Sequence, residues 1–300
     1  MLTRTEVRDL MDRHGLSPSR ALGQNFLVDP NLVDRIARVA AVGPGDRVIE
    51  VGGGLGCLTL ALAKTGAFVT TLEIDRYLIP VLEEVTRDTG VTVIHEDATT
   101  VDWHALLGPD APNTAAALLS ASKESERVGG EGADGAERPW VMVANLPYNV
   151  GTDIVLDVLD SVPEVGKLVV MVQQEVADRL TAEPGTRAAG IPSVKASYWA
   201  TARTVMSVGP DVFLPRPKVS SAVVELVRRP EPTVEVDPIA MFKLVRIAFG
   251  QRRKMLRRSL AESVSAEVFD AADVPGERRP EQLDLQEWAR LTNAVAANRT

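Results

Sequence analysis

Asn145-Leu146-Pro147-Tyr148-Asn149 brings an amide, a rigid turn and an aromatic ring together directly after the apolar residues 140–144. Asn145 offers a side-chain carbonyl. Leu146, because it precedes Pro147, is biased to an extended backbone that can turn its own carbonyl outward, and Tyr148 offers a flat face. Two acceptors and a ring suit an amine on a planar heterocycle, the arrangement needed by an enzyme that works on a flipped-out nucleobase. The same residues also make an ordinary strand-to-turn junction, since Pro147 cannot continue a ladder and Asn, Pro and Tyr are common in turns. Both readings stand on these residues alone, so the preceding chain must decide between them.

Upstream, Gly43-Pro44-Gly45-Asp46 introduces an apolar strand over 48–51, followed by Gly52-Gly53-Gly54-Leu55-Gly56 and a helical run over 58–64. Strand, glycine-rich turn and helix form the nucleotide-binding βα unit of an α/β fold. A second strand over 69–72 ends at Glu73, at about the spacing where such units place a ribose-binding carboxylate. Glycines let the backbone approach a ligand closely, and a carboxylate can accept both ribose hydroxyls. A third strand over 91–95 leads to Asp97, which either accepts an adenine amino group or caps the next segment. Glu50 stands two residues before the first glycine. An acid there suits the sulfonium and ammonium of S-adenosylmethionine better than a dinucleotide pyrophosphate, unless its task is to orient the glycine loop. The strand over 140–145 then delivers Asn145 to the carboxyl edge of a parallel sheet, beside the cofactor edge.

The elements around this unit complete the plan. Residues 1–20 read as a short amphipathic helix ending at Gly15, and Asp29 and Pro30 start the next helix. Residues 108–138 are rich in Gly, Ala, Ser, Asp and Glu, and are expected to be a largely disordered surface insertion without chemistry. Phe213-Leu214-Pro215-Arg216-Pro217-Lys218-Val219 reads as a rigid presented loop with two basic residues, although a core position is the commoner fate of a phenylalanine. Pro230-Glu231-Pro232 resembles a linker to a small all-helical module. Net charge is −8 in this chain of 300 residues, which taken whole argues against a nucleic-acid partner. The distribution reverses that impression, because Lys243, Arg246, Arg252, Arg253, Lys254, Arg257 and Arg258 follow one another with no acid between them. Such a run is either a solvated helix face or a patch for phosphates. One cysteine, Cys57, excludes an internal disulfide, and the three scattered histidines lack metal-ligand spacing, so no metal is expected. No apolar run approaches membrane-spanning length, which makes a cytoplasmic location the expectation.

These motifs together resemble the ribosomal RNA adenine N6-dimethyltransferases, most closely the bacterial small-subunit members that modify two adjacent adenines in the 3'-terminal hairpin of 16S rRNA. The resemblance covers nearly the whole chain except the insertion. It rests on Leu22-Gly23-Gln24-Asn25-Phe26-Leu27, on residues 50–58, on Asn145-Leu146-Pro147-Tyr148, on the Phe213 loop, and on Ala248-Phe249-Gly250-Gln251-Arg252-Arg253-Lys254. It implies a Rossmann-like class I S-adenosylmethionine-dependent methyltransferase sheet over residues 1–229 and a helical RNA- and ribosome-binding domain over 233–300. Carried over position by position, it implies that Asn25, Leu27, Gly52, Gly54, Glu73, Asp97 and Asn145 contact S-adenosylmethionine. Asn145, Leu146 and Tyr148 would hold the target adenine around the Pro147 turn, with Phe213 stacking on its other side. Arg252, Arg253, Lys254 and Arg257, with Arg216 and Lys218, are expected on RNA. The partner implied is 16S rRNA in the small ribosomal subunit, met by a monomer. Two departures stand out: Gly53 occupies a position where the family often has proline, and Ala189-Gly190-Ile191-Pro192 replaces an aromatic-Gly-x-Leu pattern, so no role is carried to that segment. A large-subunit methyltransferase of the resistance type shares the cofactor plan, but Asn149 and the 249–253 segment favour the small-subunit branch. Glu50 disfavours a nicotinamide dehydrogenase, and the intact motifs disfavour a purely non-enzymatic scaffold.

Overall fold

Helix signals written in the sequence are used as written. In the computed structural model, which describes residues 1–19, 21–108 and 138–298, α1 (Arg4–His14) is capped reciprocally by Thr3 and Glu6 and stopped by Gly15 at φ 62°. β1 (Phe26–Leu27) precedes α2 (Pro30–Ala40), whose first turn is capped by the Asp29 carboxylate at the Asn31 and Leu32 N–H groups. The expected insertion lies outside the described residues except for Gly108 and Arg138.

Next come β2 (Arg47–Val51), α3 (Cys57–Ala63), β3 (Phe68–Glu73), α4 (Ile79–Thr86), β4 (Thr92–His95), α5 (Trp103–Leu107), β5 (Trp140–Asn145), α6 (Gly151–Ser161) and β6 (Val165–Gln173). Helices α7 (Gln174–Thr181) and α8 (Ile191–Trp199) precede β7 (Ala200–Val208), the short β8 (Phe213–Leu214) and β9 (Ser221–Arg228). The sheet order is β4-β3-β2-β5-β6-β9-β7. β2 lies parallel to both β3 and β5, with Val48 opposite Val69 on one side and Val141 on the other. All five residues of β2 are buried, as a central parallel strand covered on both faces requires. The chain winds outward from β2 to β4 on one side and from β5 to β6 on the other, so the order reverses between β2 and β5. Ligands of open α/β sheets bind in the crevice at the carboxyl ends beside such a reversal.

The chain divides into two compact units, residues 1–174 with 204–225 and residues 175–203 with 226–300. The second unit also holds α9 (Pro238–Gly250), α10 (Leu256–Ser259), α11 (Ala266–Ala271) and α12 (Leu285–Ala297). Its membership differs from the sequence partition at 230–232, because α7 and α8 group with the C-terminal helices. Tyr198 explains part of this: its ring meets Phe242 edge-on at 5.3 Å, its hydroxyl donates to the Val236 carbonyl at 3.2 Å, and it shares one apolar core with Met241 and Trp288. Local pattern in α8 gives no sign of which core its buried face joins. Among the described residues, no helix is long and apolar enough to cross a membrane, and no group of His, Cys, Asp and Glu could hold a metal. The three histidines have separate partners, Glu84 for His14, the Ile74 carbonyl for His95 and Glu164 for His104.

Candidate active site

The turn after β2 is built for close approach of a ligand to backbone. Gly52 and Gly54 take φ of 79° and 57°, left-handed values that disfavour any side chain. A Cβ on Gly54 would also come within 3.3 Å of the Phe26 ring. At the end of β3, the Glu73 carboxylate is 5% exposed and receives the Gly54 N–H at 2.7 Å and the Asp75 N–H at 2.9 Å. Burial pushes its pKa up, and these two N–H donors hold part of that rise back. Glu73 therefore ties the glycine turn to β3 while lining the pocket. Asp97 caps the segment that follows it, its Oδ1 accepting from the Thr99 N–H and hydroxyl, and the residue lines the same pocket.

Glu50 corrects the electrostatic argument made for it. It is 1% exposed, is absent from the pocket wall, and accepts the Thr59 hydroxyl at 2.6 Å, so that it joins β2 to α3 beneath the loop. Burial pushes its pKa up to about 7. An acid so withdrawn organises the glycine turn, and its charge discriminates little between cationic and anionic ligands.

Beyond β5, the Asn145 amide is held in one orientation. Its Nδ2 donates to the Asn25 carbonyl at 3.0 Å, and because that partner can only accept, the nitrogen must face it. Oδ1 makes no hydrogen bond among the described residues while Asn145 lines the pocket, and the Leu146 carbonyl likewise accepts none. Leu146 itself is fixed by its N–H donating to the Met171 carbonyl on β6 at 3.1 Å. The Pro147 carbonyl takes the Val150 and Gly151 N–H groups at 3.3 and 2.9 Å, so the turn runs straight into α6. A side chain at Gly151 would be tight, since a Cβ there would lie 3.0 Å from Leu146 Cβ. Tyr148 is half-buried and shares a hydrogen bond of 2.7 Å with the Ser221 hydroxyl at the start of β9. Burial raises the phenol pKa, and Ser221 opposes the rise.

The fold thus gathers Asn25, Gly52, Gly54, Glu73, Asp97, Asn145, Leu146, Pro147 and Tyr148 on one pocket wall. Two expected site residues are not there. Leu27 and Phe213 sit opposite one another in the antiparallel β1–β8 pair, with only 4% and 1% of their surface exposed. Successive residues of an extended segment point to opposite faces, so Phe26, not Leu27, lines the pocket. Phe213 is a buried member of the apolar core of the first unit. Three supporting contacts escaped the sequence reading. Gln24 latches the N-terminal loop by donating to Asp75 at 2.8 Å, the backbone of Asn25 orients Asn145, and Ser221 holds Tyr148. None carries a local signal, because each acts through a partner at least 50 residues away.

The basic residues differ in their freedom. In the second unit, Arg252 donates to the Arg187 carbonyl and lies 3.9 Å from Glu281, and Arg257 pairs with Glu277 at 2.9 Å. Arg253, Lys254 and Arg258 are exposed and make no ion pair among the described residues. In the first unit, Arg216 pairs with Asp211 at 3.1 Å, and Lys218 is exposed.

Comparison with known proteins follows the same lines. Residues 16–297 match the family described as ribosomal RNA adenine dimethylase. Proteins called ribosomal RNA small subunit methyltransferase A, from Bacillus thuringiensis and Bacillus cereus, are 36% identical over 308 aligned residues, covering 99% of this chain and 98% of theirs. Among solved structures, a dimethyladenosine transferase from Plasmodium falciparum is similar over 89% of this chain and 95% of its own, with a TM-score of 0.66 and 21% identity. The 23S rRNA methyltransferase ErmE is similar over 91% of this chain and 100% of its own, with a TM-score of 0.60 and 24% identity. These two likenesses establish the class I methyltransferase fold.

Proposed function

Because the chain belongs to the ribosomal RNA adenine dimethylase family, we propose that it dimethylates N6 of two adjacent adenines in the 3'-terminal hairpin of 16S rRNA and so contributes to small-subunit biogenesis. The enzyme is an S-adenosylmethionine-dependent methyltransferase, acting in this reading as a cytoplasmic monomer on RNA of the small subunit. The observation that carries the choice of an adenine amine is the Asn145 amide, whose nitrogen is engaged by Asn25 and whose oxygen is left for a donor in the pocket.

The residues present fit the methyl donor. Gly52 and Gly54 keep a cradle open that a Cβ would strain, Glu73 stands at the β3 edge for ribose hydroxyls, and Asp97 stands at the β4 edge for the adenine amino group. When bound, S-adenosylmethionine supplies an electrophilic methyl on a sulfonium. The chain's own contribution is to the nucleophile. Adenine N6 is a weak nucleophile because its lone pair is delocalised into the ring. Asn145 Oδ1 and the Leu146 carbonyl accept its two N–H groups, draw the lone pair out of conjugation and aim it, while the Tyr148 ring sets the plane of the base. No strong general base is required, since the N–H becomes acidic only as the new bond forms. After the first transfer one N–H remains, so one acceptor still orients the amine and the other must tolerate a methyl group.

The test is to incubate the protein with labelled S-adenosylmethionine and undermethylated small subunits, then map the label. Two adjacent dimethylated adenines near the 3' end of 16S rRNA are expected. Label on large-subunit RNA, or no label, overturns the reading.

A further inference from the structure

We infer that Ser221 is a positioning residue for the target base, acting through the Tyr148 hydroxyl; this deepens the reading above and rests on Tyr148 being the base platform. The ring of Tyr148 is held at both ends. On the backbone side, the Pro147 carbonyl receives the Val150 and Gly151 N–H groups and locks the turn. On the far side, the phenol oxygen lies 2.7 Å from the Ser221 hydroxyl. Ser221 is fully buried at the first position of β9, and the adjacent Ser220 carbonyl receives the Gln174 N–H at 3.0 Å, which anchors the start of β9 to the end of β6. A tyrosine tethered only through its backbone can rotate about its side-chain torsions, whereas a second tether to a rigid strand fixes the tilt of the ring. A base stacked on that ring then inherits the tilt, and the approach of its N6 to the methyl group depends on it.

The hydroxyls of Tyr148 and Ser221 thus act as one device, and removing either should have the same effect as removing both. The experiment is a double-mutant cycle of Tyr148→Phe, Ser221→Ala and the combined variant, read as single-turnover methylation of undermethylated small subunits at saturating S-adenosylmethionine. Each single change is expected to slow the reaction by about two- to tenfold, the equivalent of one neutral hydrogen bond. The double variant should be no slower than the slower single variant, with affinity for S-adenosylmethionine unchanged and the melting temperature lowered by no more than the loss of one hydrogen bond accounts for. Losses that multiply, an unaffected Ser221→Ala enzyme, or a Ser221→Ala enzyme whose cofactor affinity or fold is also damaged, each overturn the inference. A Tyr148→Ala control separates the two levels: full activity there removes the platform reading itself, whereas a large loss there beside an intact Ser221→Ala enzyme removes only the role of Ser221.

Discussion

The turn at 145–148 and the basic run at 252–258 both have sequences suited to RNA, yet they are built in opposite ways. In the turn each of these polar groups is either committed to a named partner or left open: Asn145 Nδ2 to the Asn25 carbonyl, the Leu146 N–H to the Met171 carbonyl, the Tyr148 hydroxyl to Ser221, Asn145 Oδ1 open. In the basic run the cations are exposed, and two of them, Arg252 and Arg257, already face Glu281 and Glu277. The difference separates two uses of polarity. A reaction centre needs a few groups fixed before substrate arrives, so that no reorganisation accompanies the chemistry. Phosphate binding is additive, tolerant of side-chain motion and weakened by salt.

The largest expected effect follows from the turn. Asn145→Ala removes one of two open acceptors and should lower single-turnover methylation by about 10²–10³-fold, the usual scale for one pre-organised polar group. Small-subunit binding, measured by filter retention, should be unchanged; normal methylation would erase the contrast by making the turn as replaceable as the run. Next comes the combined change Arg253→Gln, Lys254→Gln and Arg258→Gln. It should flatten the dependence of log affinity on log salt by about 0.7–0.9 for each phosphate left without its cation, while the rate at saturating RNA holds. An unaltered salt slope would mean that these three cations face solvent in the complex.

Glu50 tests whether the loop beneath the site is structural. Folding raises its carboxyl from the ordinary 4.5 to about 7, so the folded state binds the extra proton between those values and stability falls as pH rises through that window. Glu50→Gln, which keeps an acceptor for Thr59, should flatten this dependence and raise the melting temperature above pH 7 by about 2 °C or more. A variant melting below the natural protein at pH 8 would show that the charge itself is needed. The smallest effect belongs to Glu277→Gln. Freeing Arg257 from an exposed pair should change stability by under about 1 kcal/mol, and RNA affinity should rise slightly if Arg257 joins the groups that bind phosphate. A fall in affinity would assign Arg257 to holding the local fold.

How much of this was legible depends on how far apart the partners lie. The Asp29 cap, the Gly15 stop, the glycine turn and the Pro147 turn are governed by interactions within a few residues, and they stand where the sequence placed them. The β1–β8 pair was invisible, since two-residue strands carry no period and the partners, Phe26 and Leu214, are far apart in sequence. That pair also keeps Leu27 and Phe213 out of the pocket lining: a motif near a site announces importance but not which face of an extended segment is turned to the pocket. For Glu50 the structure favours the second of the two readings left open, and the choice was not legible because spacing from a glycine turn does not reveal whether a carboxylate lies over the ligand or under the loop.

By itself the sequence determined the βα unit, the strand that carries Asn145 and the family to which the chain belongs, since these rest on short-range stereochemistry and on motifs that survive as residue types. Only the tertiary structure decided which atoms of those motifs remain free. The Asn145 amide is oriented by a carbonyl 120 residues away and the Tyr148 ring by a hydroxyl 73 residues away. A polar atom's availability is the remainder after all its partners are counted, and those partners meet only when the chain has folded.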